Sequence, residues 1–255
     1  MKYFYREYKR DLFITLFAIL STVTSFLLKP KMQFSLSLII IFVSLIIIIY
    51  FRVKEKDFYF ISFKKRENKD DWTGKGYFDY LRTERCFLIS DSDSGYIYSK
   101  SLTWSDYRVS FEFKIFRDCL GIILRAVNLS NYAMLQIKTY GIRPHVRVNG
   151  GWFVLEAKDV NLSFKDELSL DKWYKCFLSC EKGSINIKIF DKKDKLFDRN
   201  WDIPQGNLYF DFKKDENDSN SIKIAFPINL EYGSVGFRNA GTEKALVQSL
   251  LIERI

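Results

Sequence analysis

One histidine, His145, and four cysteines, Cys86, Cys119, Cys176 and Cys180, are the whole supply of imidazole and thiol ligands in 255 residues. No Cys/His set has zinc spacing, so no structural metal is expected. Four cysteines are also too few for a disulfide scaffold in a chain of this size. Cys176 and Cys180 point the same way on a strand but sit two pleats apart, beyond an ordinary bridge. Catalytic motifs are missing as well. There is no Gly-rich phosphate loop, no nucleophile elbow and no Ser/His/Asp set in a workable order. Asp91 and Asp93 precede Gly95 and read as a turn cap, because calcium needs six or more oxygens. No cofactor is expected.

Acidic excess is absent too, and the +9 net charge is unevenly placed. Residues 1–66 hold twelve Lys/Arg and four Asp/Glu, hence +8; the other 189 hold 28 and 27, hence +1. A nucleic-acid-binding domain carries its excess on the folded body, so nucleic acid is not an expected partner. Basic flanks of this kind complement a bilayer surface.

The segment 32–51, MQFSLSLIIIFVSLIIIIYF, is 20 residues without a charge. As a helix it spans about 30 Å, the hydrocarbon thickness. Its fourteen Phe, Leu, Ile and Val residues contribute roughly −0.3 to −0.6 kcal/mol each to insertion. Residues 12–28 are a second, weaker apolar run, and Lys29-Pro30-Lys31 suits a hairpin tip because Pro30 cannot continue the first helix. A signal peptide is the rival reading, but no small-x-small cleavage site follows. The hydroxyl run at 21–25 fits helix–helix contacts of a homo-oligomer or bonds to its own helix carbonyls. Four basic residues precede the hairpin, two mark its tip and six follow, so the positive-inside rule places both termini on the cytoplasmic side of a bacterial inner membrane. Asn128, Asn161 and Asn217 begin Asn-x-Ser triplets, which are silent there.

Residues 52–71 read as a charged juxtamembrane linker, with Phe58, Tyr59 and Phe60 as an interfacial aromatic patch. From residue 72 to 255 the pattern is short strands. Tyr107, Val109, Phe111, Phe113 and Ile115 alternate with Arg108, Ser110, Glu112 and Lys114. The same signal recurs at 119–126, 132–138, 145–148, 153–156, 173–180, 185–190, 221–226, 234–238 and 246–253. Turn residues separate the runs at Gly141, Asn149-Gly150-Gly151, Lys182-Gly183 and Asn239-Ala240-Gly241. Ten or more short antiparallel strands predict a mainly β, two-sheet sandwich.

The succession WSDYRVSFEF at 104–113, GIILRA at 121–126, NYAMLQ at 131–136, DKWY at 171–174 and GSVGFR at 233–238, closed by residues 245–255, resembles the concanavalin A-like lectin/glucanase jelly roll, nearest its laminin-G-type members. The resemblance covers about residues 72–255 and leaves the hairpin outside. It implies the fold and little of the function, because that jelly roll hosts lectins, hydrolases and protein-binding modules. Glucanases of this fold carry Glu-x-Asp-x-x-Glu on one strand. This chain has no such run, since Glu112 alternates with Ser110 and Lys114.

Strand alternation nominates a ligand face opposite the core. Glu112, Arg125 and Gln136 are expected to cluster there, with Arg143 and His145 on the next strand and Trp152 after a turn as a stacking platform. Each has a plainer reading. Arg125 with Glu112 is also a simple cross-strand ion pair, Trp152 a lid on the core, and His145 a satisfied structural residue. Trp104 and Trp173 read as core, and Arg238 with Glu243 as an ion pair holding a turn. The expected function is non-catalytic recognition of a saccharide, another small polar ligand or a protein partner at the bilayer. A cytosolic sensor driving a two-helix membrane effector and a membrane-bound glycoside hydrolase are the alternatives.

Overall fold

The computed structural model describes residues 42–43, 58–63, 71–213 and 221–255. The expected membrane helices lie outside those residues, apart from Phe42 and Val43, which are helical. Among the described residues no helix is long and apolar enough to cross a membrane. The chain divides into two units, Met1–Lys56 and Asp57–Ile255, and the second holds every strand found among the described residues.

The second unit is a sandwich of two antiparallel sheets. In the first sheet the order is β13 (Asp194–Asp202), β12 (Ser184–Asp191), β11 (Trp173–Glu181), β6 (Tyr107–Arg117), β17 (Lys244–Arg254), β4 (Cys86–Ser90) and β3 (Tyr77–Leu81). In the second it is β10 (Gly151–Val154), β9 (Ile142–Val148), β8 (Asn131–Lys138), β7 (Cys119–Asn128), β16 (Ser234–Arg238), β5 (Tyr96–Tyr98) and β2 (Trp72–Gly74). A separate hairpin joins β14 (Gly206–Lys213) to β15 (Ser221–Ile228).

The inward residues follow the period of two. Val109, Phe111 and Phe113 of β6 face Leu120, Ile122 and Leu124 of β7 across one continuous core. Cys176 and Cys180 also point inward, and all four cysteines are buried and free. Turn chemistry fixes the hairpins as the sequence predicts. Asn149 (φ 50°) and Gly150 (φ 84°) form the two-residue loop between β9 and β10, a left-handed pair that Asn-Gly accommodates.

Two expectations are corrected here. Phe58–Ser62, assigned to the linker, is strand β1, paired with β17 from Phe58↔Glu253 to Ser62↔Ser249. Its period of two buries Ile61, and Phe63, just beyond it, sits fully buried against Phe87 at 4.7 Å. The strand takes over from β4 along β17, with Gln248 at the bulge between the two partners. Trp173 is not core: it lies outward, paired with Lys114, whose Nζ is 5.4 Å from the indole centroid. Trp104 is core, at 2% exposure.

Candidate functional site

The outward positions of the second sheet are unusual for a sheet face, because they are buried. Ile97, Ile123, Ala126, Tyr132 and Met134 form a second apolar cluster on that side, and Leu129 and Trp152 pack on it. Register explains the grouping. Across β8 and β9, Tyr132 faces Arg147, Met134 faces His145 and Gln136 faces Arg143. Trp152 faces Arg147 from β10.

Trp152 is half-buried and leans over this floor. Its ring meets Tyr132 and His145 edge-on, each at 5.6 Å between centroids. The guanidiniums of Arg147 and Arg238 lie 5.0 Å and 4.8 Å from its centroid. Indole and guanidinium attract through the ring quadrupole, more strongly where water is scarce. Arg147 is oriented by donating Nε to Gly150 O at 3.3 Å and Nη1 to the Tyr132 hydroxyl at 3.3 Å. Arg238 donates Nε to Asp93 O at 2.9 Å. Asn239 fastens the surrounding loops, donating Nδ2 to Cys119 O at 2.9 Å and accepting from Gly121 N–H at 3.2 Å.

The charges around the ring are set by neighbours. Arg143 pairs with Glu156 at 2.5 Å. Glu243 accepts from Gln136 Nε2 at 2.7 Å and from Ala240 N–H at 2.7 Å, while Arg238 stands 4.0 Å away. The 239–243 turn is therefore held mainly by the carboxylate on a backbone N–H. Gln136 is 4% exposed, and its Oε1 has no hydrogen-bond partner. His145 is 6% exposed. Burial pushes its pKa down to about 4, with the charges of Arg143, Arg238 and Lys138 acting the same way, so the ring is neutral at pH 7. Its Nδ1 faces Arg143 O at 3.0 Å.

Of the six residues nominated from sequence, the structure brings together Gln136, Arg143, His145 and Trp152. Glu112 and Arg125 are elsewhere. Glu112 projects from the outer face of the first sheet, between Lys175 and Ser249. Arg125 is 2% exposed at a bulge in β7 with φ 50°. Its Nη1 donates to Leu230 O and Glu231 O at 3.2 Å and 2.8 Å, and Nη2 reaches Asp106 at 3.5 Å. The expected Glu112–Arg125 pair does not form, because β6 and β7 are consecutive in sequence but belong to opposite sheets. Asp118, at φ 63°, is the crossover. Alternation also puts Lys138 on this face, beyond Gln136 on β8, whereas sequence reasoning missed Arg147, although it shares the alternation of Arg143 and His145. It missed Tyr132 as well. An open groove of about 440 Å³, lined by Thr73, Ile97, Ser99, Leu102, Val127 and Leu129 among others, borders the same apolar floor on its β2–β5 side.

No protein-family model matches the chain, and no curated protein matches it. Solved structures with similar arrangements include the carbohydrate-binding module CBM66 from Bacillus subtilis, at 14% identity and TM-score 0.46, covering 72% of this chain and 95% of that one. The GH43 protein BlXynB from Bacillus licheniformis matches at 12% identity and TM-score 0.47, over 79% of this chain and 40% of its own. The VIP36 exoplasmic/lumenal domain matches at 10% identity and TM-score 0.46, over 75% and 90%.

Proposed function

We propose that the second unit is a concanavalin A-like jelly roll that binds a saccharide or another small polar ring compound on the outer face of its second sheet, without catalysis. The segments 12–28 and 32–51 hold it at a membrane. One observation supports this most: half-buried Trp152 lies beside two guanidiniums on the same face as buried Gln136, whose Oε1 is unpartnered. Flat apolar surface rimmed by fixed hydrogen-bonding groups is the combination that holds a sugar ring. Catalysis by the glycosidase route needs two carboxylates across one bond, free to exchange protons. Here both Glu243 oxygens are engaged by N–H donors and Glu156 is paired with Arg143.

A glycan array probed with the full chain tests the reading. Retention on at least one saccharide, cut about tenfold or more by Trp152→Ala, is the expected result. No retention on any saccharide overturns it, and release of shortened glycans restores the hydrolase alternative.

The six basic residues within 52–66 favour a second reading, a cytosolic sensor coupled to the hairpin. The native cysteines are buried, so the test needs an introduced one. Lys193→Cys, in an exposed turn, should resist a membrane-impermeant maleimide in intact cells. Labelling from outside discards the sensor and the cytoplasmic placement together.

A further inference from the structure

The positive charge on this face is local. Residues 67–255 together carry only +1, yet Lys138, Arg143, Arg147 and Arg238 gather on the outer side of the second sheet against two carboxylates, Glu156 and Glu243. Arg147 and Lys138 have no carboxylate partner among the described residues. Neither Arg147 nor Arg238 has a partner for Nη2 there. Water is largely excluded beneath Trp152, so uncompensated cations are costly and an incoming anion is drawn strongly. The planar guanidinium fork matches the paired oxygens of carboxylate, sulfate or phosphate, and the indole contact holds each fork in place. Gln136 adds a different requirement. Its amide nitrogen donates to Glu243, which leaves the buried Oε1 as an acceptor without a partner on this face. A bare anion has no proton to give it, whereas a ring hydroxyl does.

We infer that the ligand is an acidic saccharide: a hydroxylated ring bearing a carboxylate, sulfate or phosphate, its anionic group on Arg147 and Arg238 and a hydroxyl on Gln136. This rests on the reading of the face as a saccharide site. The partner is thus set apart from neutral glycans by charge and from simple anions by its hydroxyls.

Binding of the full chain is measured on four kinds of probe. They are neutral cellohexaose and mannan, carboxylated oligogalacturonate and sialyllactose, a sulfated heparin hexasaccharide, and a phosphate-bearing phosphomannan. The acidic probes should bind at least about tenfold more tightly than the neutral ones, and the margin should shrink as salt rises. The preferred arm identifies the anionic group. Arg147→Ala should weaken the best acidic probe about 10- to 100-fold, the range of a charge-assisted hydrogen bond. Lys138→Gln, at a half-exposed position that the fold tolerates, should weaken it by less. Neutral probes binding as tightly as acidic ones would overturn the inference and leave the saccharide reading standing. So would unchanged acidic binding in both variants. No binding to any probe would end the saccharide reading itself.

Discussion

On the first sheet most outward positions, among them Ser110, Glu112, Lys175, Ser179, Asn186 and Lys188, are half-buried or exposed, and Leu246 is buried beside Lys114. Its one near-buried cation, Lys114, is matched by Glu84 at 3.3 Å. The second sheet shows the opposite. Its outward positions are an apolar floor, an aromatic cover and a surplus of cations that nothing in the described chain neutralises. A sheet that only needs to be soluble is satisfied by the first arrangement. Burying Tyr132 and Met134 on the side away from the main core is favourable, but burying Gln136 Oε1 without a partner beside His145 is costly, and a ligand hydroxyl would offset that cost under the proposed reading.

The largest expected effect sets the scale of the shared core. Phe63→Ala should cost about 3–5 kcal/mol in urea unfolding, because the ring is fully buried against Trp72, Phe78 and Phe87. A loss below about 1 kcal/mol would detach β1 from the sandwich. Next comes His145. Its folded pKa of about 4 lies below the ordinary 6.5, so the unfolded chain takes the proton first and stability falls as pH drops from 6.5 toward 4. The loss should reach about 3 kcal/mol, and His145→Gln should flatten it. An unchanged acid profile in that variant would place the titration elsewhere.

The two outward tryptophans sharpen the contrast. Trp152→Ala should cost about 2 kcal/mol through the exposed floor, and Trp173→Ala about 1 kcal/mol or less, since it covers mainly Lys114. Only the former should alter binding. Equal effects of the two on binding would erase the distinction between the faces. The smallest effect belongs to Glu112→Gln, within about 0.5 kcal/mol in stability and silent in binding.

Alternation identified the strands and their core-facing residues well where a long run held one period, as at β6, β8 and β11. It failed for short or crowded strands. β3 carries aromatics on both faces, β4 is mostly apolar on both, and β13 is charged on most exposed positions, so none shows a clean alternation. Of the site, Gln136, Arg143 and His145 were legible because β8 and β9 are regular neighbours. Glu112 and Arg125 were misplaced for two physical reasons. A period of two tells inward from outward but not which sheet a strand joins, and the bulge at Arg125 shifts the period from Leu124 onward, moving Ala126 to the outer cluster.

Hydrogen exchange of the full chain, with and without a saturating acidic saccharide, compares the two faces most directly. Protection should rise in peptides spanning 131–154 and 234–243 and stay unchanged across 107–114 and 173–191. Protection on the first sheet instead, or none on the second, would contradict the assignment of recognition to the second sheet's outer face.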